Sequence, residues 1–195
     1  MISAKEKSLL ILENEEAFAH ALAIQVIAGP KLSIWMILIP IIFVYFFYEY
    51  DKCVSGRKNF AENYMISRKR SVSEALAATE TGSLADIGEI ISISDIPEAA
   101  RNTYKQWIVL LVEHYTELLE SEGEDFDALV KSAYGSRTNF LLFINQLNNT
   151  EKKLNLALRP YLSNESEAEE TDRVVSTIEY YSEALRREKA EKIFA

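Results

Sequence analysis

Lys31–Cys53, "KLSIWMILIPIIFVYFFYEYDKC", is the most hydrophobic stretch of the chain. Its reading decides the architecture, because it either crosses a membrane, dips into one, or fills a protein core. Leu32–Tyr48 is an uncharged run of 17 residues. As a helix it would span about 26 Å, close to the lower limit for a hydrocarbon core of about 30 Å. Trp35 lies near one end, and Tyr45, Tyr48 and Tyr50 near the other, where interfacial aromatic side chains belong. Pro40 removes one backbone donor at the middle, which a membrane helix tolerates better than a soluble one. The adopted expectation is a single transmembrane helix. Two alternatives stand beside it: a core helix of a soluble bundle, and a re-entrant hairpin that turns at Pro40 and returns to the same side. Each arm of that hairpin would reach only about 12 Å. A cleaved secretory signal fits poorly, since the run follows an acidic helix instead of a short basic one.

Working outward, Gly29-Pro30 ends the preceding segment, with Gly suited to a helix C-cap and Pro to the first turn of the next helix. Ser3–Ala28 reads as an amphipathic helix. Ser3 can cap it, and Glu6 stands at the capping-box position. Its first half is polar and its second half greasy; from Ala17 to Tyr48 the only formal charge is Lys31, with His20 a second titratable group.

On the other side stand Lys52, Arg57, Lys58, Arg68, Lys69 and Arg70, against Lys5, Lys7 and Lys31 before the run. The positive-inside rule then places the C-terminal side in the cytoplasm and the N-terminal helix on the outer face. The membrane-interface residues expected on this reading are Trp35, Tyr48, Tyr50, Lys52, Arg57, Lys58, Arg68, Lys69 and Arg70. "SRKRS", Ser67–Ser71, is expected to be a topology signal on a solvated surface; the alternative is a basic cluster that attracts anionic lipid, a contact that phosphorylation of Ser67 or Ser71 would weaken.

Beyond it, the spacing predicts a helix over Asn59–Thr79, a turn at "ETGS", and a short apolar segment, Leu84–Ile93, either helical or extended, closed by Pro97. Tyr104, Ile108, Leu111, Tyr115 and Leu118 then step by three or four, predicting a helix over Glu98–Ser121. "EGED" interrupts. Phe126–Leu147 continues at helical spacing, with Gly135-Ser136 a point of kinking or splitting, and the same stripe runs on to Arg159-Pro160. The last helix runs from about Glu167 to Phe194, acidic at its start and basic at its end, as the helix dipole favours.

The expected fold is therefore all-α: residues 1–30 an amphipathic N-terminal helix, 31–50 the transmembrane (or re-entrant) helix, 51–97 a basic juxtamembrane segment and connector, and 98–195 an antiparallel helical bundle. The scarcity of turn residues, 6 Gly and 4 Pro, agrees with helices.

The functional signals are mostly exclusions. The net charge of −9 disfavours nucleic acid as a partner. Cys53 is the only cysteine, which excludes an internal disulfide and a Cys-based zinc site. No phosphate-binding glycine loop, zinc-protease motif or nucleophile elbow occurs. "VEHYTELLE" brings Glu113, His114 and Glu117 together as the one candidate metal cluster, but di-metal bundles use paired Glu-x-x-His motifs, and here a His-x-x-Glu occurs once. "NNT" at Asn148 and "NES" at Asn164 match the glycosylation pattern. Tyr180-Tyr181 offers an aromatic candidate for a protein contact, since adjacent residues cannot both enter one stripe. No cofactor is expected. The lipid bilayer and an unidentified protein are the expected partners, with self-association of the bundle a further one. Together these readings predict a non-catalytic, membrane-anchored scaffold, docking protein or accessory subunit. The alternatives are a cofactor- or metal-binding redox subunit at the membrane, and a soluble bundle with residues 32–48 as its core.

Overall fold

The computed structural model describes residues 2–27, 53–161 and 168–195. Among these residues there are seven α-helices and no strand. They are α1 (Ala4–Val26), α2 (Cys53–Thr81), α3 (Ile87–Ser92), α4 (Glu98–Glu120), α5 (Phe126–Tyr134), α6 (Arg137–Leu158) and α7 (Ala168–Ile193), with a 3₁₀ turn over Arg159–Tyr161.

The helix ends follow the chemistry of their caps. Ser3 Oγ accepts from the Glu6 N–H at 3.2 Å, and the Glu6 carboxylate accepts from the Ser3 N–H at 2.8 Å, closing the capping box. Gly135 takes a left-handed φ of 66°, which ends α5, and Ser136 then caps α6 through the Asn139 N–H. The stripe that ran through this point is thus carried by two helices. At the other end of α4, Lys7 reaches over from α1. Its ammonium donates to the carbonyls of Leu119 (2.8 Å) and Ser121 (2.5 Å), groups a helix C-terminus leaves without intrahelical partners.

Helix α4 is the centre of the packing. It lies against α2 and α6, and also touches α1, α3 and α5, while α7 closes the ring by contacting α6 and α1. Tyr104, Trp107, Ile108, Leu111, Tyr115 and Leu118 of α4 are all buried. Residues 98–195 therefore do not make the bundle by themselves. The N-terminal helix and the connector helix, expected to stand outside, supply two of its five long members. Their exposed charges had suggested solvated segments, but each carries a narrow stripe of small and apolar residues that needs cover.

Among the described residues the buried apolar side chains fall into two clusters. The larger spans α4, α5 and α6 with parts of α1, α2, α3 and α7. The smaller joins the C-terminal half of α1 (Ala19 to Val26) and Ile27 beyond it, Phe60 to Met65 of α2, and Val174 and Ile178 of α7.

This smaller cluster corrects the expected topology. Leu32–Tyr48, Trp35, Tyr48, Tyr50 and Lys52 lie outside the described residues, but both flanks lie within them. Arg57 Nη2 of α2 donates to the Ile27 carbonyl at the end of α1 at 3.1 Å. Val26 and Ile27 share a core with Phe60 and Tyr64. A bilayer cannot pass between two helices that bury each other's side chains. The N-terminal helix, expected to stand apart from the bundle, is thus packed into it, and the single transmembrane helix expected between the two flanks lies outside the described residues. Among the described residues no helix is long and apolar enough to cross a membrane.

Candidate functional site

Where α1, α2 and α7 pass from one apolar cluster to the other lies a layer of charge, completed by side chains of α4 and α6 from within the larger cluster. Glu15 comes from α1, Tyr64 and Arg68 from α2, Trp107 and Tyr115 from α4, Asn148 and Glu151 from α6, and Arg186 from α7. Arg68 is only 1% exposed. Its Nε donates to Glu15 at 2.8 Å and its Nη2 to Glu151 at 3.0 Å. Its guanidinium lies 3.8 Å from the centre of the Tyr64 ring and 5.4 Å from that of Trp107, a desolvated setting in which cation–π attraction counts.

Glu151 is the hub. Its Oε1 accepts from Arg68, from Arg186 Nη2 at 2.9 Å and from Trp107 Nε1 at 3.3 Å, and its Oε2 from Arg186 Nη1 at 2.6 Å. Burial raises the pKa of this carboxyl, but the guanidiniums of Arg186 and then Arg68 outweigh burial and hold it below the ordinary value. Arg186 also donates to Asn148 Oδ1 and to the Tyr64 hydroxyl. Tyr115 donates to Glu15 at 2.9 Å; burial, then the Glu15 charge, raises its pKa well above the ordinary value.

The expected basic surface is therefore only partly a surface. Lys58 and Lys69 are exposed, and Arg57 and Arg70 half-buried. Arg68 points into the protein, and Ser67 and Ser71 are buried beside it, Ser71 donating to the Ser67 carbonyl and Ser67 sharing a hydrogen bond with Tyr104. "SRKRS" is not one solvated patch, and its serines are not presented to a kinase. The reason is helical phase: positions 64, 68, 72 and 75 share one face, and it faces inward.

The candidate metal residues are also separated. His114 is buried, hydrogen-bonded through Nδ1 to the Tyr134 hydroxyl at 2.6 Å and stacked on Phe143 at 4.1 Å. Burial, with the nearby positive charges of Arg186 and Arg68, lowers its pKa to about 3, so the ring is neutral. Glu113 is exposed, since one residue of offset turns a helical side chain by about 100°, and Glu117, three residues on, is exposed although it shares the side of His114 and interacts with the Tyr134 hydroxyl. Among the described residues no group of three His, Cys, Asp or Glu is placed to hold a metal.

Asn148, the first glycosylation match, is buried under Arg186, and Asn164 lies outside the described residues. Tyr180 is 68% exposed, whereas Tyr181 packs on the smaller cluster, edge-on to Tyr180 at 5.1 Å. The pair is divided as its adjacency required.

Chemically, the charged layer is a set of locked groups. Both carboxylates are bonded to cations or hydroxyls, the imidazole is neutral, and the tyrosines of the layer are held protonated by burial. Comparison of the chain with protein-family models, with curated proteins and with solved structures finds no match in any of the three.

Proposed function

We propose that the chain is a non-catalytic helical platform held at a membrane surface through residues 28–52, with α1 and the rest of the bundle together on the cytoplasmic side. There it acts as a docking protein or accessory subunit of a membrane complex. The observation that carries this reading is the pairing of Arg57 with the Ile27 carbonyl, which ties the two flanks of an uncharged 17-residue run to one end of the bundle. Such a run, presented from one end of an otherwise charged protein, is suited to entering a bilayer and returning. Lys58 and Lys69, exposed on α2, add basic charge on the returning flank. The docking role draws support from large apolar side chains left open on α6 and α7, Leu142, Leu156 and Tyr180.

The test is carbonate extraction and vesicle flotation of the full chain beside a variant whose residues 32–48 are replaced by an equal length of Gly/Ser. The full chain is expected in the membrane fraction and the variant in the supernatant, with the same helical circular dichroism. Release of the unaltered chain by carbonate would sink the anchor and favour a bundle that keeps this run against itself. A fragment beginning at residue 98 is unsuitable, because it lacks α1 and α2.

A further inference from the structure

Helix α7 contributes two long cations to the lining of one cavity. Arg186 is locked into the charged layer by Glu151. Lys189, almost one turn further on, is held differently. The other described lysines are exposed, except Lys7, whose ammonium is bonded to the end of α4. Lys189 is half-buried, and its Nζ lies 4.5 Å from the centre of the Phe126 ring. Among the described residues no carboxylate forms an ion pair with it: Glu15 is taken up by Arg68 and Tyr115, and the exposed Asp127 acts from a distance. Burial is the largest influence on this amine and lowers its pKa, against the opposing charges of Asp127 and Glu15. A desolvated lysine is a better nucleophile at neutral pH, because more of it is the free base that carries the lone pair.

Lys189 and Phe126 line the cavity together with Phe18, Phe140, Phe143 and Ile144. With its mouth the cavity encloses about 500 Å³ of free space, of which about 50 Å³ admits the centre of a water molecule. That is room for a guest of a few heavy atoms. Apolar walls with a few polar groups are the usual composition of a small-molecule site. Here the polar group without a carboxylate partner is a primary amine.

We infer that Lys189 is a covalent attachment site for small apolar aldehydes, which enter this cavity with the chain against Phe140, Phe143 and Ile144 and the carbonyl carbon at Nζ. The amine lone pair forms a bond to that carbon, and a proton passes from nitrogen to the carbonyl oxygen, giving a carbinolamine. Loss of its hydroxyl and of the second nitrogen proton as water then leaves an imine. Nothing is oxidised or reduced, and hydrolysis returns the free amine and the aldehyde. Among carbonyl compounds the aldehyde suits this site because it needs no leaving group and no second reactant, and its hydrocarbon chain matches the aromatic lining.

The test is reductive trapping of the full chain in phosphatidylcholine vesicles, with butanal and cyanoborohydride. Peptide mass spectrometry then gives a labelling rate for each lysine. Lys189 is expected to be labelled at least about tenfold faster than the exposed Lys69 and Lys105. Glycolaldehyde, a polar aldehyde, is expected to show no such preference. Ile144→Phe fills the cavity without touching a charge, and is expected to bring butanal labelling of Lys189 down to the rate of the exposed lysines with circular dichroism unchanged. Phe143→Trp serves the same end if that variant fails to fold. Labelling of Lys189 no faster than that of Lys69 and Lys105 would overturn the inference in the unaltered chain alone. So would an equal preference for glycolaldehyde, or a rate undiminished in the filled variants.

Discussion

The two apolar clusters differ in how they are closed. The larger is built on the inner face of α4 and includes Trp107, Tyr115 and Leu118, each no more than 1% exposed. The smaller is a three-helix contact of α1, α2 and α7 at the end where residues 28–52 depart, and it contains three alanines among its eleven buried members. The charged layer lies between them. Along α1 the order is Ile11, Glu15, Ala19; along α2 it is Met65, Arg68, Val72. The difference teaches a division of labour. The large core holds the bundle together by area, the small core holds the flanks of the apolar run, and the layer fixes the register of one on the other, because a charge shifted by one turn would lose its partner.

Four changes probe this division. The largest effect is expected from Glu151→Ala, which removes the carboxylate shared by two buried guanidiniums, leaving Arg68 only Glu15 and Arg186 only neutral acceptors, and takes away the acceptor of the Trp107 indole N–H. A loss of about 3–5 kcal/mol in denaturant unfolding is expected; a loss below about 1 kcal/mol would mean the layer is well solvated.

Acid should act next, and on the large core. His114 has a folded pKa of about 3 against an ordinary 6.5. A group held neutral in this way contributes its full stability above the ordinary value, and loses it as pH falls toward the folded value. About 3 kcal/mol should disappear between about pH 8 and about pH 4. Glu151, also held low, acts in the same direction at lower pH. Urea titrations of His114→Phe should show a flatter dependence between about pH 6.5 and about pH 4.

Truncation in the two cores comes third. Ile178→Ala in the small core is expected to cost about 2–3 kcal/mol and Leu118→Ala in the large core somewhat more. Native-state hydrogen exchange should find the amides of residues 19–26 and 60–65 opening with lower free energy than those of 107–118. Equal protection would dissolve the distinction between the cores. The smallest effect belongs to Gly135→Ala. A side chain at φ 66° meets no neighbour within 4 Å but strains the backbone, at about 1 kcal/mol in thermal unfolding.

The helices were largely legible in the sequence, because their ends are written in caps: Ser3 with Glu6, Pro97, Gly135-Ser136. The charged layer was not, although a signal for it existed. Glu15 stands four residues from both Ile11 and Ala19, Glu151 four from Leu147 and three from Leu154, Arg186 four from Ser182 and Ala190. All of those neighbours are buried. Each charge is thus in phase with its helix's inner stripe. A reading that counts apolar residues treats such positions as breaks in the stripe, and α2, whose inner face holds Ser67, Arg68 and Ser71, then looks weak. The packing of α1 on α2 was hidden for another reason. Counting flanking charges compares two sides of a membrane, and whether two flanks are on different sides depends on tertiary contact between α1 and α2, which periodicity does not report.

The claim that α1 and the bundle stay together on one side of the membrane is the most direct to test. Epitope tags placed before Ser3 and after Ala195 of the full chain, in sealed vesicles, can be challenged with protease before and after permeabilisation. The account predicts that the two tags are cut together or protected together. One tag cut and the other protected would contradict it.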